Sequence, residues 1–184
     1  MWDMQYGIAQ RVFNFTELLT NARHLIDTAH SSGVPVIYTQ HTALPYEYMS
    51  KYRISSFQRR GIDPKSHMVE NTHDWQIIED LSPQKQDLVI KKNTRSFFVG
   101  TPVDQLLRAK SIETLILAGV ATEGGIESTA RHASDLGFFP VIVEDAVGSH
   151  DKENHDIALK LMKKMFDVRR SDEIIDILKR KLSR

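Results

Sequence analysis

Apolar positions along this chain switch repeatedly between a helical and an extended period. Residues 15–32 place Leu18, Leu19, Ala22, Leu25, Ile26 and Ala29 at the three-and-four spacing of a helix, with Gly33 as its cap. VPVIYT (34–39) follows as a short β-branched and apolar run, the pattern of a strand covered on both faces. The alternation then repeats. It predicts a short helix at 75–81, a strand at 87–92, a helix at 102–110 and a strand at 114–119. Ile126, Ala130, Ala133 and Leu136 next mark one face of a helix that stops at Gly137. Residues 140–146 read as a strand, and residues 154–166 carry Ile157, Leu161, Met162 and Met165 on a helix. Strand followed by helix, over and over, predicts a three-layer α/β/α sandwich with a mainly parallel sheet, in one domain spanning 1–184. Residues 42–72 are the least regular stretch. A stretch that long inside a compact domain suits a lid or an oligomer contact.

Composition narrows the function classes. The 24 basic and 24 acidic residues balance, so nothing draws the chain as a whole to nucleic acid or to an acidic membrane. The basic run KRKLSR at 179–184 closes a helix that opens with Ser171, Asp172 and Glu173, an arrangement that complements the helix dipole. The chain has no cysteine, which excludes disulfides, thiolate zinc sites and thiol catalysis. No signal peptide or apolar run of membrane length is apparent, and the expected location is cytoplasmic.

Three separated elements carry candidate chemistry. Asp3-Met4-Gln5 stands at the start, preceded only by Met1 and Trp2. Lys92 lies in VIKKNTRSFFVGT, four residues before Ser96 and six before Phe98. The third element is GVATEGGIESTARHA, an apolar strand that runs through a tight turn with Gly124 and Gly125 into a helix. Each falls at the C-terminal end of a predicted strand, where open α/β sheets bind ligands. In this order the three resemble the isochorismatase-like or cysteine hydrolases over nearly the whole chain. The resemblance implies the α/β/α fold, a hydrolase activity on a small molecule, no cofactor, and a homodimer or homotetramer. The family's first strand leads into the Asp-x-Gln motif. Here only Met1 and Trp2 precede it, so either the strand is cut short or the start codon is misplaced; if the strand is central, its loss would remove ladder hydrogen bonds and core burial together.

The resemblance also assigns roles. In amidase-type members a cysteine at the turn attacks a carbonyl, an aspartate takes its proton and a lysine stabilises charge. A cation and a helix N-terminus favour the thiolate, and turn N–H groups hold the oxyanion. Asp3 and Lys92 map onto the aspartate and the lysine, and Gly125 onto the cysteine. True isochorismatases resemble this chain in carrying glycine there. In them a carboxylic acid protonates a vinyl ether and water adds. Asp3 would be that acid, which requires a carboxyl protonated near neutral pH, and Lys92 would bind a substrate carboxylate. Ala121-Thr122-Glu123, by contrast, looks like the amidase branch. The leading expectation is therefore an isochorismatase-like hydrolase using acid-assisted water addition. The alternative is a catalytically inactive paralogue of an amidase that binds a small ligand or partner, and a plain structural subunit is the third reading.

Other residues enter as substrate contacts. Gln40 and His41 follow the strand 34–39, at an end that faces the crevice. Phe98 would wall the pocket, and Ala121 and Thr122 form the turn. Thr122, Ser128 and Thr129 have no histidine near in sequence to serve as a base. Thr39 stands where nicotinamidase-type relatives have the aspartate of a metal pair, so no metal site is expected. Trp75 is expected in the core. Tyr46, Tyr48, Tyr52 and Phe57, beside Gln58-Arg59-Arg60, suit an oligomer interface or solvated surface rather than nucleic acid.

Overall fold

The computed structural model describes residues 1–182. Its helices and strands, in chain order, are α1 (Tyr6–Ala9), α2 (Phe15–Ser31), β1 (Ile37–His41), α3 (Lys51–Arg59), β2 (Leu88–Lys92), α4 (Val103–Ala109), β3 (Thr114–Val120), α5 (Glu127–Asp135), β4 (Phe139–Gly148), α6 (Lys152–Met162), β5 (Asp167–Arg169) and α7 (Ser171–Leu182). Every strand pair is parallel, as expected when helices cross between consecutive strands. The sheet is built in two parts, β1 with β2 and β3-β4-β5.

The first residues of the chain join these parts. Thr39 N donates to Met1 O, Trp2 N to Ala118 O and Val120 N to Trp2 O, so residues 1–2 continue the ladder on both sides. Gly119 permits this passage. Its φ is +118°, and a Cβ there would lie 2.1 Å from Trp2 O. Beside Met1 and Trp2 lies an apolar cavity of about 530 Å³, lined also by Val36, Ile37, Leu115 and Leu117. β1 begins at Ile37 rather than at 34. Pairing with β2 starts at Ile37–Leu88, and residues 34–36 border the cavity.

Helices cover both faces. On one, Val103 and Leu107 of α4, Ala130 and Ala133 of α5, and Ala158 and Met162 of α6 pack with Ile90, Leu117 and Ile142. On the other, Leu18, Ala22 and Ile26 of α2 meet Tyr38 and Val120, and Leu25 of α2 packs with Ile174 and Leu178 of α7 and with Val143 and Ala146. The predicted three-layer fold is present. The opening acids of α7 stand at its first turn, while Ser183 and Arg184 lie outside the described residues.

Several elements differ from expectation. The helix expected at 75–81 is only a 3₁₀ turn at Glu79–Leu81. Trp75 is half-buried, and its Nε1 donates to Thr42 Oγ1 instead of entering the core. On α6 the inward residues are His155, Ala158 and Met162, while Ile157 and Leu161 are exposed; the helix ends at Met162, so Met165, also exposed, lies beyond it. Residues 42–72 contain α3, N-capped by Ser50, whose hydroxyl accepts from Arg53 N. Its sparse apolar content (Ile54 and Phe57) gave no helical stripe. Phe57 is buried, so it is not part of an exposed aromatic surface with Tyr48 and Tyr52.

Candidate functional site

Asp3, Lys92 and Gly125 converge from residues far apart in sequence. Residues 1–2 deliver Asp3 to the strand ends with φ of +43°, a sparsely populated conformation for a non-glycine residue. Its backbone N donates to Thr39 Oγ1 at 3.0 Å. The Thr39 hydroxyl in turn donates to Asp3 Oδ1 at 2.5 Å, and Lys92 Nζ donates to Asp3 Oδ2 at 2.6 Å. Both members of the ion pair are buried. Lys92 also donates to Thr94 O at 3.1 Å and lies 4.5 Å from the centre of the Trp2 ring. Burial pushes the Lys92 ammonium below its usual range. Asp3 opposes that shift, and the Arg53 charge adds to it. Both Asp3 oxygens thus accept hydrogen bonds, one from an ammonium, which is the pattern of an ionised carboxylate.

Gln5 has a different task. Its Oε1 accepts from His41 N at 2.7 Å, and its Nε2 donates to His41 O at 3.0 Å and Trp75 O at 2.6 Å. The side chain thus copies a neighbouring strand and clamps the end of β1. The Asp-x-Gln pair divides accordingly, with Asp3 at the ion pair and Gln5 on the backbone.

The space beside Gly125 is taken. A Cβ on Gly125 would lie 1.9 Å from Trp2 Nε1 and 2.5 Å from Trp2 Cε2, closer than real contacts allow. Trp2 is buried, packs edge-on against Phe97 at 5.5 Å, and its Nε1 has no hydrogen-bond partner. Any side chain at 125 would compete with the indole for the same volume.

The remaining predicted residues do not all gather here. His41 ends β1 opposite Lys92 in the β1–β2 register. Gln40 is buried and donates to Trp75 O at 3.1 Å. Thr122 is fully buried, with Oγ1 2.8 Å from His155 Nδ1. A histidine absent from the local sequence is therefore supplied by α6, but the pair is sealed in the interior and ties the turn to that helix. Ala121 leads into the one-turn π-helix Thr122–Ile126. Phe98 stacks on Phe138 and His132, away from the Asp3–Lys92 pair's own contacts.

Sequence reasoning missed Arg53 and Arg95. With His41, Asn93 and Thr94 they line a cavity of about 360 Å³ between α3 and the end of β2. Arg53 Nη2 lies 3.1 Å from His41 Nε2. A guanidinium only donates, so the His41 nitrogen accepts and the ring is neutral. Burial holds the His41 pKa well below its usual value, and the charges of Lys92, Arg53, His67 and Arg60 push the same way. The available signal was Ser50, a helix cap that places Arg53 three residues on. Among the described residues no group of His, Asp or Glu side chains could hold a metal ion, and no helix is long and apolar enough to cross a membrane.

Comparison with known proteins bears on this geometry. Residues 1–173 match the isochorismatase domain. The chain belongs to the isochorismatase family. It is 30% identical over 139 residues to the ureidoacrylate amidohydrolase RutB of Rhizobium rhizogenes, which covers 70% of this chain and 56% of that protein. It is 34% identical over 90 residues to the isochorismatase family protein YwoC of Bacillus subtilis, covering 48% of each. The chain thus spans about half the length of these relatives. In structure it resembles a cysteine hydrolase from Pseudomonas syringae pv. phaseolicola, with a TM-score of 0.89, 21% identity, and coverage of 98% of this chain and 91% of that one. It also resembles the N-carbamoylsarcosine amidase of Thermoplasma acidophilum, with a TM-score of 0.73, 25% identity, and coverage of 93% and 94%. This isochorismatase-family chain therefore has hydrolase-type relatives and the hydrolase fold.

Proposed function

We propose that this protein is a small-molecule-binding member of the isochorismatase family that forms no acyl-enzyme, with Gly125 in the place of the nucleophilic cysteine and the Trp2 indole in the space of the missing side chain. The observation that carries this reading is the 1.9 Å separation between a Cβ at Gly125 and Trp2 Nε1. Glycine and tryptophan form a matched pair, and the volume of the attacking atom belongs to a ring with no nucleophilic group. Asp3 remains in its ion pair, so the fixed charges of the family site persist without the atom they would activate.

Acid-assisted water addition to a vinyl ether is the second reading, favoured by the glycine and the intact Asp3–Lys92 pair. It fits the geometry less well. An acid must hold a proton, and both Asp3 oxygens already accept from Thr39 and Lys92. The ionised form suits the binding of a cation or water better than the protonation of a carbon.

Turnover separates the two. Isochorismate, ureidoacrylate, N-carbamoylsarcosine and nicotinamide are assayed with wild type and Asp3→Asn. The expected result is no turnover by either. Hydrolysis of any of them that is lost in Asp3→Asn overturns the binding-only reading. A Gly125→Cys/Trp2→Val double variant tests the origin of the pair. A fast-reacting thiol at neutral pH is expected there, because Lys92 and the start of the helix favour the thiolate.

A further inference from the structure

The cavity between α3 and the end of β2 has a charge that the Asp3–Lys92 pair does not use. Arg53 and Arg95 line it, and Arg60 stands beside the same α3 ring, its guanidinium 5.3 Å from the centre of Phe57, with that of Arg53 at 4.7 Å. None of the three arginines has a carboxylate within ion-pair distance among the described residues, where thirteen other contacts of that kind occur. Asp3 is the acid whose charge reaches Arg53, and it is already bound to Lys92. Burial and the neighbouring charges of Arg60 and Arg95 both weaken the hold of Arg53 on its proton. Like charges packed this closely repel one another, and only Asp3 and Tyr52 push the other way on Arg53. His41 does not add to the excess, because its Nε2 accepts from Arg53 and the ring is neutral.

Apolar side chains share the lining with the arginines, and Phe57 lies directly beneath Arg53. Ala43, Leu44, Met49 and Phe57 face the same space. A volume of about 360 Å³ matches a small organic ligand. A space lined by both cations and apolar carbon suits an amphiphilic anion. A guanidinium fork matches the two oxygens of a carboxylate.

We propose that this cavity is a carboxylate-binding subsite, in which Arg53 and Arg95 grip the anionic end of a small organic acid whose apolar body lies against Met49 and Phe57. The proposal rests on reading the chain as a small-molecule binder and names the class of molecule bound. Arg53 presents its fork because Ser50 caps α3 and the neutral His41 ring accepts one of its N–H groups. Arg95, exposed at the rim, closes on the ligand from the segment after β2. An ammonium ligand is repelled, and a neutral amide leaves the cations unbalanced.

Titration calorimetry at pH 7.5 and low salt tests this with sodium malonate as the probe, malonamide as its neutral counterpart and inorganic phosphate as the purely inorganic anion. Malonate is expected to bind at least about tenfold more tightly than either, and Arg53→Met and Arg95→Met are each expected to weaken it about tenfold or more. Arg53→Lys keeps the charge without the fork and should fall between. Equal binding of malonate and malonamide overturns the proposal, as does wild-type affinity in both Met variants. Tighter binding of phosphate than of malonate makes the cavity an inorganic-anion site and overturns the carboxylate assignment. If Arg53→Met does not fold, as seen by circular dichroism, the exposed Arg95→Met carries the comparison alone. Turnover is measured separately. Hydrolysis lost in Asp3→Asn with malonate binding retained defeats the binding-only function but leaves this subsite standing. Absence of malonate binding without turnover defeats the subsite alone.

Discussion

Two charged regions lie at the strand ends, and they are built on opposite rules. Around Asp3 and Lys92 every charge is answered. The carboxylate has two donors, the ammonium has a carboxylate and a carbonyl, and the Trp2 ring occupies the space beside Gly125. Around Arg53 and Arg95 no carboxylate lies within ion-pair distance among the described residues, and a cavity opens beside them. A satisfied, filled centre is what remains when a site's geometry is kept for folding. The unpaired, open one is where the proposed carboxylate subsite lies.

The sharpest way to break this contrast is to remove one charge from each region. Lys92→Met leaves Asp3 buried without a cation and should cost about 3–5 kcal/mol in urea unfolding. Arg53→Met removes a charge that has no carboxylate in ion-pair contact among the described residues and only the His41 nitrogen and the Phe57 ring as favourable contacts, and it should cost about 1 kcal/mol or less. A comparable loss in both variants would mean that Arg53 has a partner of equal worth, and the contrast would fail.

A smaller effect is expected at Gly125. Gly125→Ala forces a methyl into the indole and should destabilise by about 1–3 kcal/mol. In a Trp2→Val background the same change should become neutral or stabilising, because alanine suits the start of a helix better than glycine. A double-mutant cycle in chemical denaturation measures the coupling. Additive effects would show that the ring and the glycine do not share one volume.

Acidification should strain the two regions unequally. The His41 pKa is held well below its usual value of about 6.5, and burial with the Arg60 and Arg53 charges pushes His67 down to about 4. Below pH 6.5 the unfolded chain takes up protons that the folded one refuses. Stability is therefore full above that pH and falls as the solution is acidified toward 4. The melting temperature should drop over this window, less so in Arg53→Met and less so with malonate bound. A flat profile would show that the cations do not press on these rings. The smallest change belongs to the rim. Tyr52→Ser, at an exposed position, should shift stability by no more than about 0.5 kcal/mol in thermal melts.

Much of the fold was legible because its signals are local. The stripe on α2, the β-branched run before His41, and the face of Ile126, Ala130 and Ala133 each follow from spacing within a few residues. Where local signals were weak, reading failed. Helix α3 has only Ile54 and Phe57 as apolar residues and is announced by Ser50 alone. Trp75 is expected in the core because it opens a short amphipathic helix candidate, yet that helix is absent there and its indole N–H donates to a hydroxyl 33 residues away. On α6 Met162 is buried as expected but Ile157 and Leu161 face solvent, since burial depends on what packs opposite.

The sequence by itself determined the family, the alternating three-layer fold, the absence of thiol chemistry, and the identity of Asp3 and Lys92 as residues at strand ends. Each of these is fixed by residue type and short-range order. Only the tertiary structure decided what those residues do to one another. It set Trp2 against Gly125, bound both oxygens of Asp3, and gave Gln5 to the backbone of His41. It also gathered Arg53, Arg60 and Arg95 from α3, its end and the segment after β2 into one unbalanced field. A chain whose acids and bases number the same gave no hint of that field. Net charge is a sum over the molecule, while a binding site depends on where each charge lies after folding.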